Sequence, residues 1–355
     1  MTSFWDNLPQ PFFILAPMEA VTDVVFRHVV KQAGAPNVFF TEFANATGWV
    51  HAGDKAIAGR LIKTEDEHPL VAQIWGGEPG DMEQFAAHCA KLGFDGIDIN
   101  MGCPAKSAIK SGGAALIRRP DVATAAIAAA KTAGLPVSVK TRLGYTYIEE
   151  WHEWLSILLA QNLANLTIHL RTKKEMSKVP AHYELIDDII KLRDEIAPQT
   201  LLTINGDIRD RAHGEELFRA HPGLNGIMIG RGVFSDPFCF ACTGARASQK
   251  TIRDPREVAQ IFSETPLAPT NTHAEPEVEN NSSPTITNHK QELIKLLNYH
   301  LDLFDQQQPT LGRPFETLKR FFKIYIRGFD GAKELRDQLM NTKNTDEVRQ
   351  LINSN

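Results

Sequence analysis

Eight short runs of apolar, mostly β-branched or aromatic residues recur through the first two thirds of the chain. Continuous apolar runs of this kind are typical of strands that are buried on both faces, as in parallel sheets. The predicted strands are Phe12–Ala16, Val38–Thr41, Leu70–Ile74, Gly96–Ile99, Val137–Lys140, Leu166–His169, Leu201–Ile204 and Gly226–Ile229. Helical patterns between them predict Asp81–Cys89, Pro120–Ala133, Trp151–Ala160, Tyr183–Glu195 and Gly214–Arg219.

This alternation of strands and helices indicates right-handed crossovers and a parallel sheet. Eight strands within residues 1–243 fit an α/β fold of the (β/α)₈ TIM barrel type, for which roughly 250 residues is typical. A doubly wound open sheet is the structural alternative. The strand count favours the barrel.

The pattern changes after residue 243. Residues 244–289 contain a tract rich in Pro, Thr, Asn and Glu, which predicts a linker with a low-complexity insertion. From Lys290 onward, apolar residues recur at steps of three and four, which predicts helices. Their apolar faces would be Leu293, Leu296, Leu297, Leu301 and Phe304, then Leu318, Phe321, Phe322, Tyr325 and Ile326. Residues 290–355 are therefore predicted to form a small all-helical domain.

Composition bounds the class and compartment of the protein. A hydrophobic fraction of 43% and a charged fraction of 23% over 355 residues are ordinary for a globular protein and exclude a disordered or fibrous chain. The chain lacks a signal-peptide pattern and an apolar run of about 20 residues, so we expect no membrane insertion. Four cysteines do not indicate a disulfide framework, which favours a reducing cytoplasm.

The net charge of −5 argues against a protein whose whole surface is basic. The charge is unevenly distributed, because residues 290–355 hold 11 Lys+Arg against 9 Asp+Glu. On a helix, Lys319, Lys323 and Arg327 would share one face that could contact phosphates, although a solvated helix face is the commoner meaning of such a run. A second basic run, Arg171 to Lys178, follows the sixth predicted strand.

The carboxyl ends of barrel strands are where function collects. Polar groups end almost every predicted strand, and the last two ends, Asn205-Gly206-Asp207 and Gly230-Arg231-Gly232, favour a phosphate site. Two ordinary glycine turns are the alternative. Elsewhere on this rim are Pro17-Met18, Glu42, Gln73, Asn100, Cys103, Lys140, Arg142 and His169.

Cys103 has the most specific setting of these residues, since it directly follows a strand in Asn100-Met101-Gly102-Cys103-Pro104. Nearby cations give a thiol a reason to be reactive, as a nucleophile or as a general acid. A buried structural cysteine is the alternative. Lys140 would form a Schiff base, bind phosphate, stabilise an electron-rich ring or extend to solvent, and His169 would be a base, a donor to a cofactor or a core residue. Cys239 and Cys242 lack the four ligands of a zinc site, so we predict no metal.

Together these motifs resemble the tRNA-dihydrouridine synthase family, and the similarity extends in order over nearly the whole chain. The Asn-Met-Gly-Cys-Pro element is highly specific. The other matching motifs are Leu15-Ala16-Pro17-Met18, Gln73-Ile74-Trp75-Gly76, Val139-Lys140-Thr141-Arg142, Asn205-Gly206-Asp207 and Gly230-Arg231-Gly232. The chain departs from the pattern at Leu170-Arg171-Thr172, where much of the family has a small residue.

The resemblance implies an FMN enzyme that reduces uridines in tRNA to 5,6-dihydrouridine, with NADPH or NADH as reductant. We also expect a monomer. Hydride would reach C6 of the uracil, and Cys103 would protonate C5. Substrate contacts would come from Asn100, Arg142, Arg171, Lys319, Arg320, Lys323 and Arg327. The cofactor would contact Ala16, Pro17, Met18, Gln73, Lys140, His169, Asn205, Gly206, Asp207, Gly230 and Arg231.

Two other functions are compatible with the same residues. One is a flavin-dependent reductase of a free pyrimidine or another enone, which would not need the basic C-terminal helices. The other is a catalytically idle RNA-binding protein. Cys103 and Lys140 argue against the second of these, because an idle protein would need neither.

Overall fold

Nine parallel strands close into one barrel in the first of the two units, Met1–Phe240 and Ala241–Asn355, into which the chain divides. The computed structural model describes residues 3–242 and 286–354. The strands are β1 (Phe12–Leu15), β2 (Val38–Phe40), β3 (Ala44–Asn45), β4 (Leu70–Trp75), β5 (Gly96–Asn100), β6 (Val137–Arg142), β7 (Asn165–His169), β8 (Leu201–Asn205) and β9 (Gly226–Ile229).

Closure of the barrel depends on two short strands that share one partner. β2 pairs with β1 and, through Phe39 opposite Leu70, with the start of β4. β3 pairs further along β4, where Ala44 lies opposite Ile74. β2 and β3 are therefore two parts of one barrel strand, and the predicted eight-stranded TIM barrel is confirmed.

Helices surround the sheet in the expected alternation. They are α1 (Val24–Gly34), α2 (Ala46–Ala52), α3 (Asp54–Ile57), α4 (Pro79–Lys91), α5 (Pro120–Lys131), α6 (Trp151–Leu159), α7 (Ile186–Ile196), α8 (Arg211–Ala220) and α9 (Gly232–Ser235). The apolar pattern did not lead us to predict α1, α2 and α3. α1 begins at a clear cap, since the Asp23 carboxylate accepts the Phe26 N–H at 2.9 Å.

The barrel interior is apolar toward the amino ends of its strands. Phe12, Ile14 and Ala16 of the β1 segment pack with Val38, Phe40, Val71 and Met228 in one buried cluster. A short 3₁₀ helix, Phe4–Asn7, adds Trp5, whose ring centroid lies 5.6 Å from that of Phe12. The amino-terminal segment thus fills one end of the barrel and leaves the carboxyl ends of the strands for the site.

Gly226 lies where β9 approaches its neighbours most closely. A Cβ atom there would lie 2.1 Å from Phe12 Cε2 and 2.4 Å from Thr203 Oγ1. We expect Gly226→Ala to lower the free energy of unfolding by roughly 1–3 kcal/mol, because a packed interior cannot absorb the added methyl group. Gly80→Ala in α4 is the control, since a Cβ there would have no neighbour within 4 Å. Equal guanidinium unfolding midpoints for the two variants would contradict this expectation.

The second unit contains α10 (Ile286–Leu311), a 3₁₀ helix (Phe315–Phe321), α11 (Phe322–Tyr325), α12 (Ala332–Leu339) and α13 (Thr345–Asn353). The predicted apolar faces are buried: Leu293, Leu296, Leu297, Leu301, Phe304, Leu318, Phe321, Phe322, Tyr325 and Ile326. The Arg349 guanidinium joins α13 to α10 by bonds to the Asp302 and Asp305 carboxylates at 2.7 and 2.8 Å.

The predicted linker, residues 244–289, lies outside the described residues except for its last four, which begin α10. Among the helices that the structure describes, none has both the length and the apolar character needed to cross a membrane.

Candidate active site

A cavity of about 750 Å³ opens at the carboxyl ends of the barrel strands. Nearly all the residues predicted to contact a cofactor line this cavity. They are Ala16, Pro17, Met18, Lys140, His169, Asn205, Gly206, Asp207, Gly230 and Arg231. The carboxyl ends of β1, β6, β7, β8 and β9 therefore converge on one space, as the barrel topology requires.

Gln73, the remaining residue of that predicted set, is completely buried and is not among the residues that line the cavity. Its Nε2 donates to Asp98 Oδ2 at 2.7 Å, and its Oε1 accepts from Asn100 Nδ2 at 3.0 Å. Ser138 Oγ donates to the other Asp98 oxygen at 2.7 Å. These bonds link β4, β5 and β6 through a polar chain inside the barrel.

Asn100 connects this polar chain to the loop that carries Cys103. Its Oδ1 accepts the backbone N–H groups of Gly102 at 3.1 Å and Cys103 at 2.9 Å. Because both ends of the amide are hydrogen-bonded, Asn100 fixes the direction in which the chain leaves β5. The backbone position of Cys103 is thereby set by buried side chains.

The loop after Cys103 folds back tightly on itself. Ala114 N donates to Cys103 O at 3.0 Å, and Gly113, with φ of +57°, would place a Cβ 2.9 Å from that same oxygen. Gly77 faces Ser111 O, which a Cβ there would approach to 2.3 Å. The glycines are therefore required by close backbone contacts, and they hold the loop against the barrel.

Burial raises the pKa of the Cys103 thiol above its usual range. The Ala105 N–H and the cations of Arg142 and Lys140 act in the opposite direction but do not outweigh burial. Of the two roles that the sequence left open, this environment favours the general acid, because the thiol keeps its proton at neutral pH. Cys89, on α4, is fully buried, and its pKa is raised to about 12.

Lys140 lies at the cavity wall, where its Nζ donates to Asn205 Oδ1 at 3.2 Å. Asn205 Nδ2 donates in turn to Met228 O at 2.8 Å, which fixes the orientation of its amide. Burial lowers the pKa of Lys140 to about 8, with a smaller contribution from Arg142, while Asp98 opposes the shift. The amine is therefore largely charged at pH 7 and readily deprotonated above pH 8.

His169 is neutral in this environment. Burial, together with the cations of Arg142, Lys140, Arg171 and Arg231, holds its pKa well below 6.5. The Arg171 guanidinium donates to its Nε2 at 3.1 Å, which assigns the ring proton to Nδ1. The ring therefore accepts from Arg171 at Nε2 and can donate from Nδ1.

Arg142 and Arg171, which the sequence analysis assigned to RNA contact, are both buried. Arg142 donates to the carbonyl oxygens of Gly102 at 2.7 Å, Thr172 at 3.2 Å and Met176 at 3.0 Å. Arg171 donates to Val179 O at 2.6 Å and pairs with Asp207. The two guanidinium groups hold loops together beneath the surface, which leaves little of either side chain for contact with a macromolecule.

Asp207 follows Gly206 in a left-handed conformation, with φ of +52°. Its carboxylate accepts from Arg171, from Ala181 N at 3.1 Å and from Arg231 Nη2 at 3.0 Å. The side chain of Arg231 is 66% exposed. Asp207 thus aligns Arg231 at the cavity wall, and Arg231 rather than the carboxylate has the charge that a phosphate requires.

The predicted basic face of the second unit needs correction. Residues 315–321 form a 3₁₀ helix and only Phe322–Tyr325 form α11, so Lys319, Lys323 and Arg327 do not lie at four-residue spacing on one α-helix. Lys319 Nζ donates to Met340 O at 2.9 Å. Arg320 and Lys323 are exposed, and Arg327 is half-buried.

Asp98 and Ser138 are site residues that the sequence analysis missed. The sequence did contain a signal for Asp98. Residues in a strand alternate between two faces, so residues 96, 98 and 100 of β5 share one face and Ile97 and Ile99 share the other. Of the two remaining cysteines, Cys239 is buried and Cys242 is exposed. Within residues 3–242 and 286–354, no group of three or more His, Cys, Asp or Glu side chains could hold a metal.

Comparison with known proteins identifies the family of the chain. Residues 14–355 match the family model described as dihydrouridine synthase (Dus). A protein of Bacillus subtilis strain 168 named probable tRNA-dihydrouridine synthase 2 is 52% identical over 99% of this chain and 95% of its own. One of Staphylococcus aureus strain Mu50, named probable tRNA-dihydrouridine synthase, is 50% identical over 99% and 94%. The chain belongs to the dihydrouridine synthase family of oxidoreductases.

Proposed function

We propose that this protein reduces specific uridines in tRNA to 5,6-dihydrouridine, with FMN as cofactor and NADPH or NADH as reductant. The observation that carries the proposal is the convergence of a cavity that Lys140, His169 and Arg231 line and the Cys103 loop at one end of the barrel. Family membership and the names of the relatives support the same reaction on the same substrate.

The residues around the cavity fit FMN. A volume of about 750 Å³ lies within the range of roughly 300–1,000 Å³ that is usual for cofactor and ligand pockets. Arg231, aligned by Asp207, and the glycine-containing ends of β8 and β9 would hold the phosphate. Lys140 and His169 would contact the ring system, with Pro17 and Met18 along its apolar side. When bound and reduced, FMN would supply hydride to C6 of the uracil.

Cys103 would supply the proton that reaches C5. Reduction of the C5=C6 bond needs one hydride and one proton, and the C4 carbonyl polarises the bond so that the proton adds at C5. A thiol with a raised pKa is protonated at neutral pH. After transfer, the thiolate would be stabilised by Arg142 and Lys140 and would recover a proton from water.

The positively charged Lys140 would stabilise negative charge on the reduced cofactor. Asn100 would act mainly by holding Cys103, because both ends of its amide are already bonded. The target base must leave its stack to enter the cavity, and an open barrel end suits an extruded nucleotide. We propose that Arg320 and Lys323 of the helical unit add contacts with the tRNA backbone.

The decisive experiment combines spectroscopy with product analysis. We expect the purified protein to show flavin absorption and to convert uridine to dihydrouridine in a transcribed tRNA when NADPH is supplied. Activity on free uracil but not on tRNA would favour the free-pyrimidine reductase. Binding of tRNA by a colourless protein that cannot be loaded with FMN would favour the catalytically idle RNA-binding protein.

A further inference from the structure

A group of cationic and aromatic side chains lies on the same rim of the barrel as the cavity but outside the cavity lining. We call it the cation–aromatic platform, and it consists of Arg118, Tyr145, Tyr147, Lys173 and Lys174. The Arg118 guanidinium carbon lies 3.9 Å, and Lys173 Nζ 4.8 Å, from the centre of the Tyr145 ring. Lys174 Nζ lies 5.6 Å from that of Tyr147, which is 65% exposed.

The platform has a fixed backbone. The Glu150 carboxylate accepts the N–H groups of Tyr145 at 2.5 Å, Thr146 at 3.1 Å and Tyr147 at 3.0 Å. The Lys173 N–H donates to Gly144 O at 2.8 Å, and the Lys174 N–H donates to Tyr145 O at 2.9 Å. An exposed tyrosine on a loop held by five hydrogen bonds loses little conformational entropy when it binds a partner.

The platform is joined directly to the loop that carries Cys103. Arg118 ends the 3₁₀ helix Gly113–Arg118, at whose start Ala114 N bonds Cys103 O. The buried Arg142 ties Gly102, beside Cys103, to Thr172, beside Lys173. A partner that contacts the platform therefore contacts the loops that hold the backbone of Cys103.

The local charge favours an anionic partner. Residues 101–119 contain Lys106, Lys110, Arg118 and Arg119 and no acidic residue. Of the acids beside the tyrosines and lysines of the platform, Glu150 bonds backbone N–H groups, Glu175 bonds Thr172 N and His182, and Glu149 is exposed. Lys106, Lys110 and Arg118 are exposed. Cations interleaved with an exposed aromatic ring are the combination that binds unpaired nucleotides, by stacking on the bases and by contact with the phosphates.

We propose that the platform is an RNA-contact surface of the barrel itself, on which Tyr147 stacks an unpaired base that neighbours the reduced uridine. Lys173, Lys174 and Arg118 contact the flanking phosphates. The inference rests on the proposed reduction of tRNA and adds to it a substrate contact outside the cavity and outside the helical unit. Extrusion of the target uridine leaves its neighbours partly unstacked, and an aromatic surface compensates for that loss.

The test compares four variants of the full chain, loaded with FMN: Tyr147→Ala, Tyr147→Phe, Lys174→Ala and Lys191→Ala. Lys191 is the matched control, because it is an exposed lysine on α7 whose Nζ pairs with Asp188 of the same helix at 3.0 Å. The readouts are the Kd for a transcribed tRNA at several salt concentrations and the kinetics of dihydrouridine formation. Flavin content and thermal unfolding check that each variant is folded.

We expect Tyr147→Ala to raise Kd and KM for tRNA roughly 5- to 150-fold with little change in kcat, the range that loss of one base–aromatic stack produces. Tyr147→Phe should bind nearly as the parent does, because it keeps the ring. Lys174→Ala should weaken binding. It should also reduce the slope of log Kd against log salt concentration by about one, the contribution of one phosphate contact. Lys191→Ala should change neither quantity.

Tyr147→Ala and Lys174→Ala variants that bind tRNA as tightly as the parent would overturn the platform while leaving the proposed function intact. Equal losses from Tyr147→Phe and Tyr147→Ala would also overturn it, since stacking needs only the ring. A parent protein that neither binds tRNA nor reduces its uridines would be a different result. It would contradict the proposed function itself, and with it the platform, which rests on that function.

Discussion

Replacing Cys103 with alanine is expected to lower the rate of dihydrouridine formation by about 10²- to 10⁴-fold, the usual contribution of a positioned general acid. The variant should still bind FMN and oxidise NADPH at near the parental rate, because Cys103 is not among the residues that line the cavity. Its backbone N–H remains available to Asn100, so the loop should keep its conformation. Single-turnover reduction of transcribed tRNA, measured beside flavin reduction, separates the two steps.

Cys242→Ala is the matched control for this experiment, because it removes an exposed thiol that is not among the residues lining the cavity. That variant should keep full activity. Cys103→Ser should recover little activity, since a hydroxyl is a much weaker acid than a thiol. If Cys103→Ala forms dihydrouridine at the parental rate, the proton comes from another group and our assignment of the acid is wrong.

The barrel strands could be predicted because each is a buried apolar run between turn signals. The prediction missed α1 although its sequence has a helical signal. Its apolar residues are mostly β-branched and resemble a strand, namely Val24, Val25, Phe26, Val29 and Val30. Its polar residues, Arg27, His28, Lys31 and Gln32, nevertheless recur at helical spacing after the Asp23 cap. The continuous helix expected around Lys319 was wrong, since apolar spacing does not distinguish a 3₁₀ helix from an α-helix.

The candidate site was predicted as a set of strand ends, and the barrel topology made that possible. The sequence could not indicate which polar groups contact one another. From the sequence we expected Arg142 and Arg171 to contact the substrate. Tertiary packing instead places both beneath loops, where they donate hydrogen bonds to backbone carbonyl oxygens. Asp207 read as a phosphate contact, whereas two arginines engage its carboxylate. Pairings of this kind depend on loop conformations that strand patterns do not specify.

Arg142→Met is expected to affect both stability and pH dependence. It removes a buried cation whose three bonds go to carbonyl oxygens of two loops, and we expect a loss of about 2–4 kcal/mol in the free energy of unfolding. In the parent protein, activity requires a charged Lys140 and a protonated Cys103, so it should fall as pH rises above about 8. Arg142 lowers the pKa of both groups. Without its charge both pKa values rise, and the alkaline fall should move to higher pH.

Arg193→Met separates the electrostatic effect from simple destabilisation. Arg193 is equally buried and donates to Thr200 O at 2.9 Å and Gly223 O at 2.8 Å, near the amino ends of β8 and β9. Its loss should lower the free energy of unfolding without changing the pH at which activity falls on the alkaline side. Arg142→Lys keeps the positive charge but lacks the planar guanidinium group. It should therefore lower the free energy of unfolding, while activity falls at the same alkaline pH as in the parent. If the pH–activity profile of Arg142→Met coincides with that of Arg193→Met, the role of Arg142 is purely structural. A cation that shifts the pKa of Lys140 and Cys103 must change their titration when it is removed.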